Sequence, residues 1–249
     1  SAKEDMKNNV FKYDAYEHTY GPAVAGDNDV ENPNVRLIYI AGNQDQLKDD
    51  NGTVRTLRDI YDEEYPGDIA AGYDVRFIIE TSAVVGSSSN TAYSITTGTW
   101  AELTLPPLLD NRGLTTSQGG QGASIGSNAT NGGPAILMQN DLRIDNSGII
   151  GGGGGGGGSA DDSNGSDIYA AAGGGGAGYL NGPAGSGTLA KPGSATQSAP
   201  GTNTAGGLGQ DGVAGSPTAF APGLAGAAIN KNGYTLTYIN QGDIRGSVS

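Results

Sequence analysis

The chain has 249 residues, including 45 glycines and no cysteine, and its 13 Lys+Arg against 26 Asp+Glu leave a formal net charge of −13. Nucleic acids and anionic membranes bind proteins through clustered Lys and Arg, so this acidic balance excludes both as partners. The lack of cysteine excludes disulfides, thiol catalysis and cysteine-bound zinc. No apolar run reaches about 18 residues, so we expect no membrane insertion.

The first third of the chain predicts a β-rich domain. Residues 1–34 mix acidic and aromatic side chains without a clean period, which indicates a strand or an irregular arm. Val35–Gly42 and the alternating stretch around Val75 are typical of strands. The Asn51-Gly52 pair predicts a hairpin turn. We expect one short helix, over Leu57 to Glu64.

A weak internal repeat begins at about Trp100. It occurs three times, as LTLPPLLDNRGLTT (103–116), NDLRIDNSGIIGG (140–152) and YTLTYINQGDIRGS (234–247). Each copy has an alternating apolar stretch, then a pair containing Asn, then a nearby Gly. Because Asn and Gly tolerate a positive φ, each copy predicts a strand that runs into a turn and out again. The copies flank the glycine-rich runs, so we expect ordered structure on both sides of those runs.

The glycine-rich runs include eight consecutive glycines at Gly151–Gly158, and others that keep a glycine at every third residue, as at 206, 209, 212 and 215. A flexible Gly/Ser linker is the ordinary interpretation of such a run. Linkers do not carry the many apolar residues that are set among these runs. The alternative is the three-residue period of a polyproline-type helix, in which glycine lets neighbouring backbones approach closely enough to hydrogen-bond.

We therefore predict a mainly β and irregular chain with a C-terminal sandwich of packed polyglycine type II helices and connecting loops. The predicted divisions are a β-rich attachment or shaft-proximal domain at 1–83, a connecting β segment at 84–112, and the glycine-rich domain at 113–249. The predicted glycine core consists of Gly151, Gly152, Gly153, Gly154, Gly155, Gly156, Gly157, Gly158, Gly173, Gly174, Gly175 and Gly176.

Several stretches resemble the glycine-rich adhesins at the tips of bacteriophage tail fibres, especially those of T-even-like phages. They are TTGTW followed by an apolar-Asn-x-Gly turn, IDNSGIIGGGGGGGG, AAAGGGGAG and the closing NGYTLTYINQGDIRG. The resemblance covers residues 84–249, and the first 80 residues do not look like the family's attachment domain. It implies a virion protein at the distal end of the fibre. Its partners would be the fibre shaft protein and an outer-membrane protein or surface glycan of the host.

If glycine helices form the core, receptor binding is expected on the loops that interrupt them. Aromatic rings dominate the binding energy of adaptable Ser/Gly/Asn-rich loops, although such rings also cap the apolar ends of helices. Acidic loop residues would meet basic receptor loops or hold Ca²⁺, and a solvated acidic loop is the alternative. The candidate receptor-binding residues are Asp161, Asp162, Asp167, Tyr169, Tyr179, Leu180, Leu189, Lys191 and Phe220.

We expect no enzyme, and no catalytic residue, cofactor or metal site. His18 is the sole histidine and has no nucleophile motif around it, and the octaglycine matches G-x-G-x-x-G trivially. Carboxylate pairs such as Glu63 and Glu64 occur in any acidic domain.

Three alternatives stay open. A polysaccharide depolymerase would be expected to show a long β-helix repeat or a catalytic carboxylate cluster, and we find neither in the sequence. An ice-binding glycine-helix protein would require a strict Gly-x-x repeat over most of its length, and the period of three in this chain is broken. A fibre assembly chaperone would be missing from mature virions.

Overall fold

Short β-strands make up most of the regular structure. The computed structural model describes residues 10–11, 34–68, 70–124, 127–162, 169–171, 176–179, 205–214 and 220–249. The elements are β1 (Val10–Phe11), β2 (Val35–Ile40), β3 (Asn43–Asp45), α1 (Leu57–Glu64), β4 (Asp74–Ile79), β5 (Val84–Gly86), β6 (Ile95–Thr96), β7 (Leu108–Asn111), β8 (Leu114–Thr116), β9 (Ile136–Leu137), β10 (Leu142–Asn146), β11 (Ile149–Gly151), β12 (Ala160–Asp162), β13 (Tyr169–Ala171), β14 (Ile229–Asn230), β15 (Leu236–Asn240) and β16 (Asp243–Arg245). The prediction of a mainly β and irregular chain is confirmed. No helix in these ranges has the length and apolar character that a membrane crossing requires.

The strands stack as a short, three-sided parallel β-helix. The first sheet has the order β1-β2-β4-β7-β10-β15, the second β16-β11-β8-β5-β3 and the third β14-β9-β6. All ladders in these three sheets are parallel except β1 with β2. The chain therefore passes from sheet to sheet in five coils, which are β2-β3-α1, β4-β5-β6, β7-β8-β9, β10-β11-β14 and β15-β16 closed by Val248, which bridges to Ile229.

Aligned apolar columns hold the coils together. In the first sheet the register places Ile38 beside Phe77, Phe77 beside Leu109, and Leu109 beside Ile144. These four side chains point into the β-helix and are buried. Burial of a side chain of this size contributes about 1.5–3 kcal/mol, so one column supplies a large part of the stability of the stack.

The internal repeat is a set of consecutive coils. Its copies form β7–β8, β10–β11 and β15–β16, so the predicted strand, turn and strand are confirmed. The Asn residues of the first two turns are buried and link the coils, since Asn111 Nδ2 donates to Asn146 Oδ1 at 2.7 Å. Asn146 Nδ2 in turn donates to the carbonyl oxygen of Gln241 in the last coil at 3.0 Å. The sequence shows no long β-helix repeat, and the stacking of these short copies was not predicted because glycine-rich insertions of unequal length separate them.

The helix α1 takes the place of a third strand in the first coil. Thr56 and Asp59 form a capping box at its start, and Leu57, Ile60 and Tyr61 are its buried residues. The backbone N–H of Arg58 donates to the Thr97 carbonyl oxygen next to β6. The predicted bounds of this helix are confirmed.

The Asn51-Gly52 pair makes a turn but no hairpin. Gly52 has a φ of 82°, and the Asp49 carboxylate accepts from the backbone N–H groups of Asn51 and Thr53. The preceding strand, β3, pairs in parallel with β5 instead of with the residues after the turn. The hairpin prediction was wrong because β-helix stacking, a tertiary arrangement, determines the partner of β3.

Candidate functional site

The glycine-rich residues form two insertions in the β-helix. The first joins β8 to β9, and the second leaves the end of β11 as the octaglycine and returns at β14. We call these insertions the glycine region. The octaglycine is buried along its whole length, with Ser159 buried at its far end. We call the end next to β11 the inner end, and the end at Ser159 the outer end.

The octaglycine donates backbone hydrogen bonds to several neighbouring segments. Gly153 and Gly156 donate to the carbonyl oxygens of Gly133 and Thr130, which belong to one segment. In a second segment, the carbonyl oxygens of Gln210 and Val213 accept from the N–H groups of Gly155 and Gly158. In a third segment, the Ala177 carbonyl oxygen accepts from the Gly154 N–H. Donors that share a segment are three residues apart, so successive N–H groups point in three directions.

The octaglycine carbonyl groups are used in the same way. The donors to them are Gly120 and Ala123, Gly206 and Gly209, and Gly223 and Gly226. Within the described residues, six neighbouring segments therefore surround one strand of glycine, through bonds of 2.8–3.1 Å. Because a buried backbone group without a partner is costly, this surrounding lattice explains how a run without side chains is ordered.

The close packing excludes side chains along most of the octaglycine. A Cβ on Gly152, Gly153, Gly154, Gly155 or Gly156 would lie closer than 3.0 Å to a backbone carbonyl oxygen of a neighbouring segment. Gly151 differs from these five, since a Cβ there would meet nothing nearer than the Leu208 Cβ at 3.3 Å. The interior between the segments is therefore filled by main chain.

The direction of each segment identifies the outer end. Residues 118–124 and 209–214 run outward with the octaglycine, whereas 127–134 and 220–228 run back inward. The described residues at the outer end are therefore Ser124, Ser127, Ala214 and Phe220. Ser159 Oγ donates to the Ser127 carbonyl oxygen at 3.0 Å there, and the Phe220 N–H donates to the Ser159 carbonyl oxygen at 3.2 Å.

The antiparallel pair β12–β13 continues the chain beyond Ser159, with Asp161 opposite Ala170 and Asp162 opposite Tyr169. Three predicted receptor-binding positions, Asp161, Asp162 and Tyr169, therefore follow directly from the outer end, where half-buried Phe220 also lies. The structure brings these four positions to one end of the glycine region.

Tyr179 lies at the opposite, inner end. Its backbone N–H donates to the Ser117 carbonyl oxygen at 2.9 Å, and its ring covers Gly86 of β5 so closely that a Cβ on Gly86 would overlap it. Burial raises the pKa of the Tyr179 hydroxyl, and the nearby Asp45 carboxylate raises it further. The structure thus places Tyr179 at the joint between the glycine region and the β-helix, away from Phe220.

Three polar side chains hold the surface segment 220–228 through hydrogen bonds to its backbone. They were not among the candidate residues predicted from the sequence. The Asn128 and Asn131 Oδ1 atoms accept from the N–H groups of Ala221 and Leu224, each at 2.9 Å. The Asp211 carboxylate accepts from the Ala225 N–H at 2.7 Å. The signal was present in the sequence, because Asn128 and Asn131 are three residues apart, as are their partners.

Other predicted positions lie outside the described residues. They are Asp167, Leu180, Leu189 and Lys191 among the receptor-binding candidates, and Gly173, Gly174 and Gly175 of the glycine core. Within the described ranges, no group of three or more His, Asp or Glu side chains is arranged to hold a metal ion.

Comparison with known proteins gives one family and one fold neighbour. The model of the family described as phage tail fibre adhesin Gp38 matches residues 38–249. The crystal structure of the gp37-gp38 adhesin tip complex of the bacteriophage S16 long tail fiber has a chain with a similar fold, at a TM-score of 0.61 and 24% identity. The match covers 86% of this chain and 82% of that chain. No curated protein sequence matches.

Proposed function

The chain belongs to the phage tail fibre adhesin Gp38 family, and from this premise we propose that it binds the host surface through the outer end of its glycine region. Family membership confirms the predicted class and location, a host-recognition adhesin of the virion tail fibre. The family match begins at residue 38, so it also includes residues 38–80, which do not resemble the family's attachment domain in sequence. The family is one of adhesins and not of enzymes.

We propose that the packed glycine segments are polyglycine type II helices that form a sandwich. The three-residue spacing of hydrogen bonds from Gly153 and Gly156 to one neighbour supports this assignment, as do the six neighbours around the octaglycine. Such a lattice would give the outer end a rigid support. A rigid support matters for affinity, because loops held in place lose less conformational entropy when they bind.

We further propose a division of labour between the two parts of the chain. The β-helix would join the adhesin to a tail-fibre shaft protein at the fibre tip, and the glycine region would present the receptor-binding surface. The fold neighbour was solved as a complex of gp37 with gp38 in an adhesin tip, which supports a fibre partner for this chain. The boundaries at 83/84 and 112/113 stay a proposal, and the parallel ladders of the first sheet cross both.

The observation that carries the receptor proposal is the grouping of Asp161, Asp162, Tyr169 and Phe220 at the end farthest from the β-helix. A set of aromatic and acidic residues at this end suits an outer-membrane protein with basic loops, or a surface glycan. Asp167, Leu180, Leu189 and Lys191 remain proposed receptor-binding residues by sequence alone.

The test measures how well the purified full-length chain competes with phage for adsorption to host cells. Tyr169→Ala and Phe220→Ala should each weaken competition about tenfold while the chain stays folded, because aromatic anchors of loop interfaces are worth about 1–3 kcal/mol. Val54→Ala, at an exposed position on the β-helix, is the matched control. Competition at the wild-type level by both aromatic variants would refute the assignment of the outer end.

A further inference from the structure

The two ends of the β-helix differ in how they are closed. In the first coil, the inward side chains of Ile38 and Ile40 are buried, and Gln44 of β3 is also buried. The following segment supplies cover, since Leu47 is fully buried and its carbonyl oxygen accepts from Arg55 Nε at 2.9 Å. The first coil is therefore closed by residues of the chain itself.

In the described part of the chain, the last coil has no such cover over its inward side chains, although Gly209 packs against the backbone of Arg245 and Gly246. Its inward side chains pack on the fourth coil but remain only partly buried; they are Leu236, Tyr238, Ile244 and Val248. Their register partners in the fourth coil are Leu142, Ile144, Ile150 and Ile229. Those partners are at most 1% exposed. The last coil thus buries the coil before it, and none of the described residues does the same for the last coil.

The backbone edge of the last coil is also unpaired among the described strands. β15 and β16 are the terminal strands of the first and second sheets, and no described strand pairs with their outer edges. The Thr235 carbonyl oxygen accepts from the Leu142 N–H, so by the alternation of a parallel ladder the backbone groups of Leu236 and Tyr238 point outward. An unpaired edge of this kind accepts a strand from another chain.

The chemistry of the last coil fits a protein partner. In a chain with a net charge of −13, residues 234–249 contain one acidic and one basic side chain, Asp243 and Arg245, which pair with each other at 2.6 Å. The coil also carries exposed apolar side chains, Ile239 at 58% and Tyr234 at 39%. An edge strand without lysine, proline or net charge lacks the usual protection against pairing, so it is suited to being covered in the assembled particle.

We propose that the last coil, β15-β16 with Val248, is the docking surface for the β-structured end of the tail-fibre protein that carries this adhesin. This inference rests on the proposed function, because it assumes that a fibre protein is the partner. The fibre chain would continue the parallel ladders of the first two sheets and cover the partly buried apolar side chains. The glycine region is inserted in the third and fourth coils, and its outer end would stay free for the host.

The experiment uses the full-length chain produced together with the tail-fibre protein of the same phage, and measures the fraction of adhesin that co-purifies with the fibre. The test variants are Ile239→Asp and Thr237→Lys, both at exposed positions of β15. The controls place the same charge elsewhere. Leu224→Asp lies on the glycine region at 57% exposure, and Val54→Asp lies near the first coil at 48%.

We expect both β15 variants to lose at least nine-tenths of the co-purifying adhesin with unchanged melting temperatures, and both controls to bind the fibre as the wild type does. The isolated Ile239→Asp protein should still compete for host cells, which separates fibre docking from receptor binding. Wild-type co-purification by the β15 variants would overturn the proposal, as would loss of co-purification in Val54→Asp alone. If the isolated wild type is a dimer that Ile239→Asp converts to a monomer, the coil binds a second copy and the proposal is also wrong. Failure of the wild type itself to join any fibre would instead refute the proposed fibre partner.

Discussion

Substitution of Gly155 by alanine tests whether main chain fills the interior of the glycine region. A Cβ at this position would lie well within 3.0 Å of the Gly223 carbonyl oxygen. Both groups are backbone, so the two segments would have to separate by more than an ångström. That movement would break the bond from the Gly155 N–H to Gln210, at 3.0 Å, and the bond from Gly206 to the Gly155 carbonyl oxygen, at 2.9 Å.

The expected cost follows from those losses. Each broken bond leaves buried backbone groups without partners, at about 1–3 kcal/mol each, and overpacking costs a further 1–3 kcal/mol. Allowing for partial relaxation, Gly155→Ala should lower the free energy of unfolding by about 3–5 kcal/mol. For a chain of this length that corresponds to a fall in melting temperature of roughly 10 °C.

The matched control lies within the same run of glycines. Gly151→Ala would place a Cβ 3.3 Å from the Leu208 Cβ, which a small adjustment relieves. Alanine also reduces the entropy of the unfolded chain, so this variant should stay within about 1 kcal/mol of the wild type. Denaturant unfolding and thermal scans measure both. A flexible linker would tolerate the two substitutions equally, so equal stability of Gly155→Ala and Gly151→Ala would refute the packed interior.

Three further predictions concern the β-helix and its joint with the glycine region. Burial tends to raise the pKa of Asp74, but hydrogen bonds from Arg143 and Arg76 outweigh it and leave that pKa below its usual value. Asp74→Asn should therefore cost about 1–2 kcal/mol at pH 7. That cost should disappear as the pH falls through the lowered pKa, and stability measured against pH checks it. Asn146→Ala removes a buried link between coils and should cost about 3 kcal/mol in denaturant unfolding, and a cost below 1 kcal/mol would show that the coils do not depend on it. Tyr179→Ala should lower the free energy of unfolding by about 2 kcal/mol, and Tyr179→Phe should leave it unchanged. If Tyr179→Ala instead weakens host adsorption without a change in melting temperature, the ring contacts the receptor and not the β-helix.

Local patterns were sufficient for several elements. The capping residues Thr56 and Asp59 and the apolar spacing of α1 are contained within one short stretch, so the helix could be predicted to its ends. The strand, turn and strand of each repeat also depend on neighbouring residues. The partner of β3 depends on residues about forty positions away, which is why Asn51-Gly52 suggested a hairpin that does not form.

The candidate site was predictable as a set of loops but not as a surface. The sequence marks Phe220 and Tyr179 equally, as aromatic residues among small ones. Only the direction of each glycine segment separates them, and places Phe220 at the outer end and Tyr179 on Gly86 of the β-helix. The last coil could not be identified as the proposed docking surface from local patterns for a similar reason. Leu236 and Ile244 have the same apolar character and alternating spacing as the inward residues of the other strands.

The sequence by itself determined the composition and the local elements of this protein. They are β-forming repeats, a glycine-rich interior, an acidic surface without basic patches, and the resemblance to phage adhesins. The tertiary structure alone decided that the repeats stack as coils of one β-helix, and that the described glycine segments pack around and along each other. It also decided which end of each part is left open in the described residues. The physical reason is that glycine carries no side-chain pattern to reveal its neighbours. In such an interior the partners are chosen by hydrogen bonds between backbones, and those bonds exist only once distant segments have been brought together.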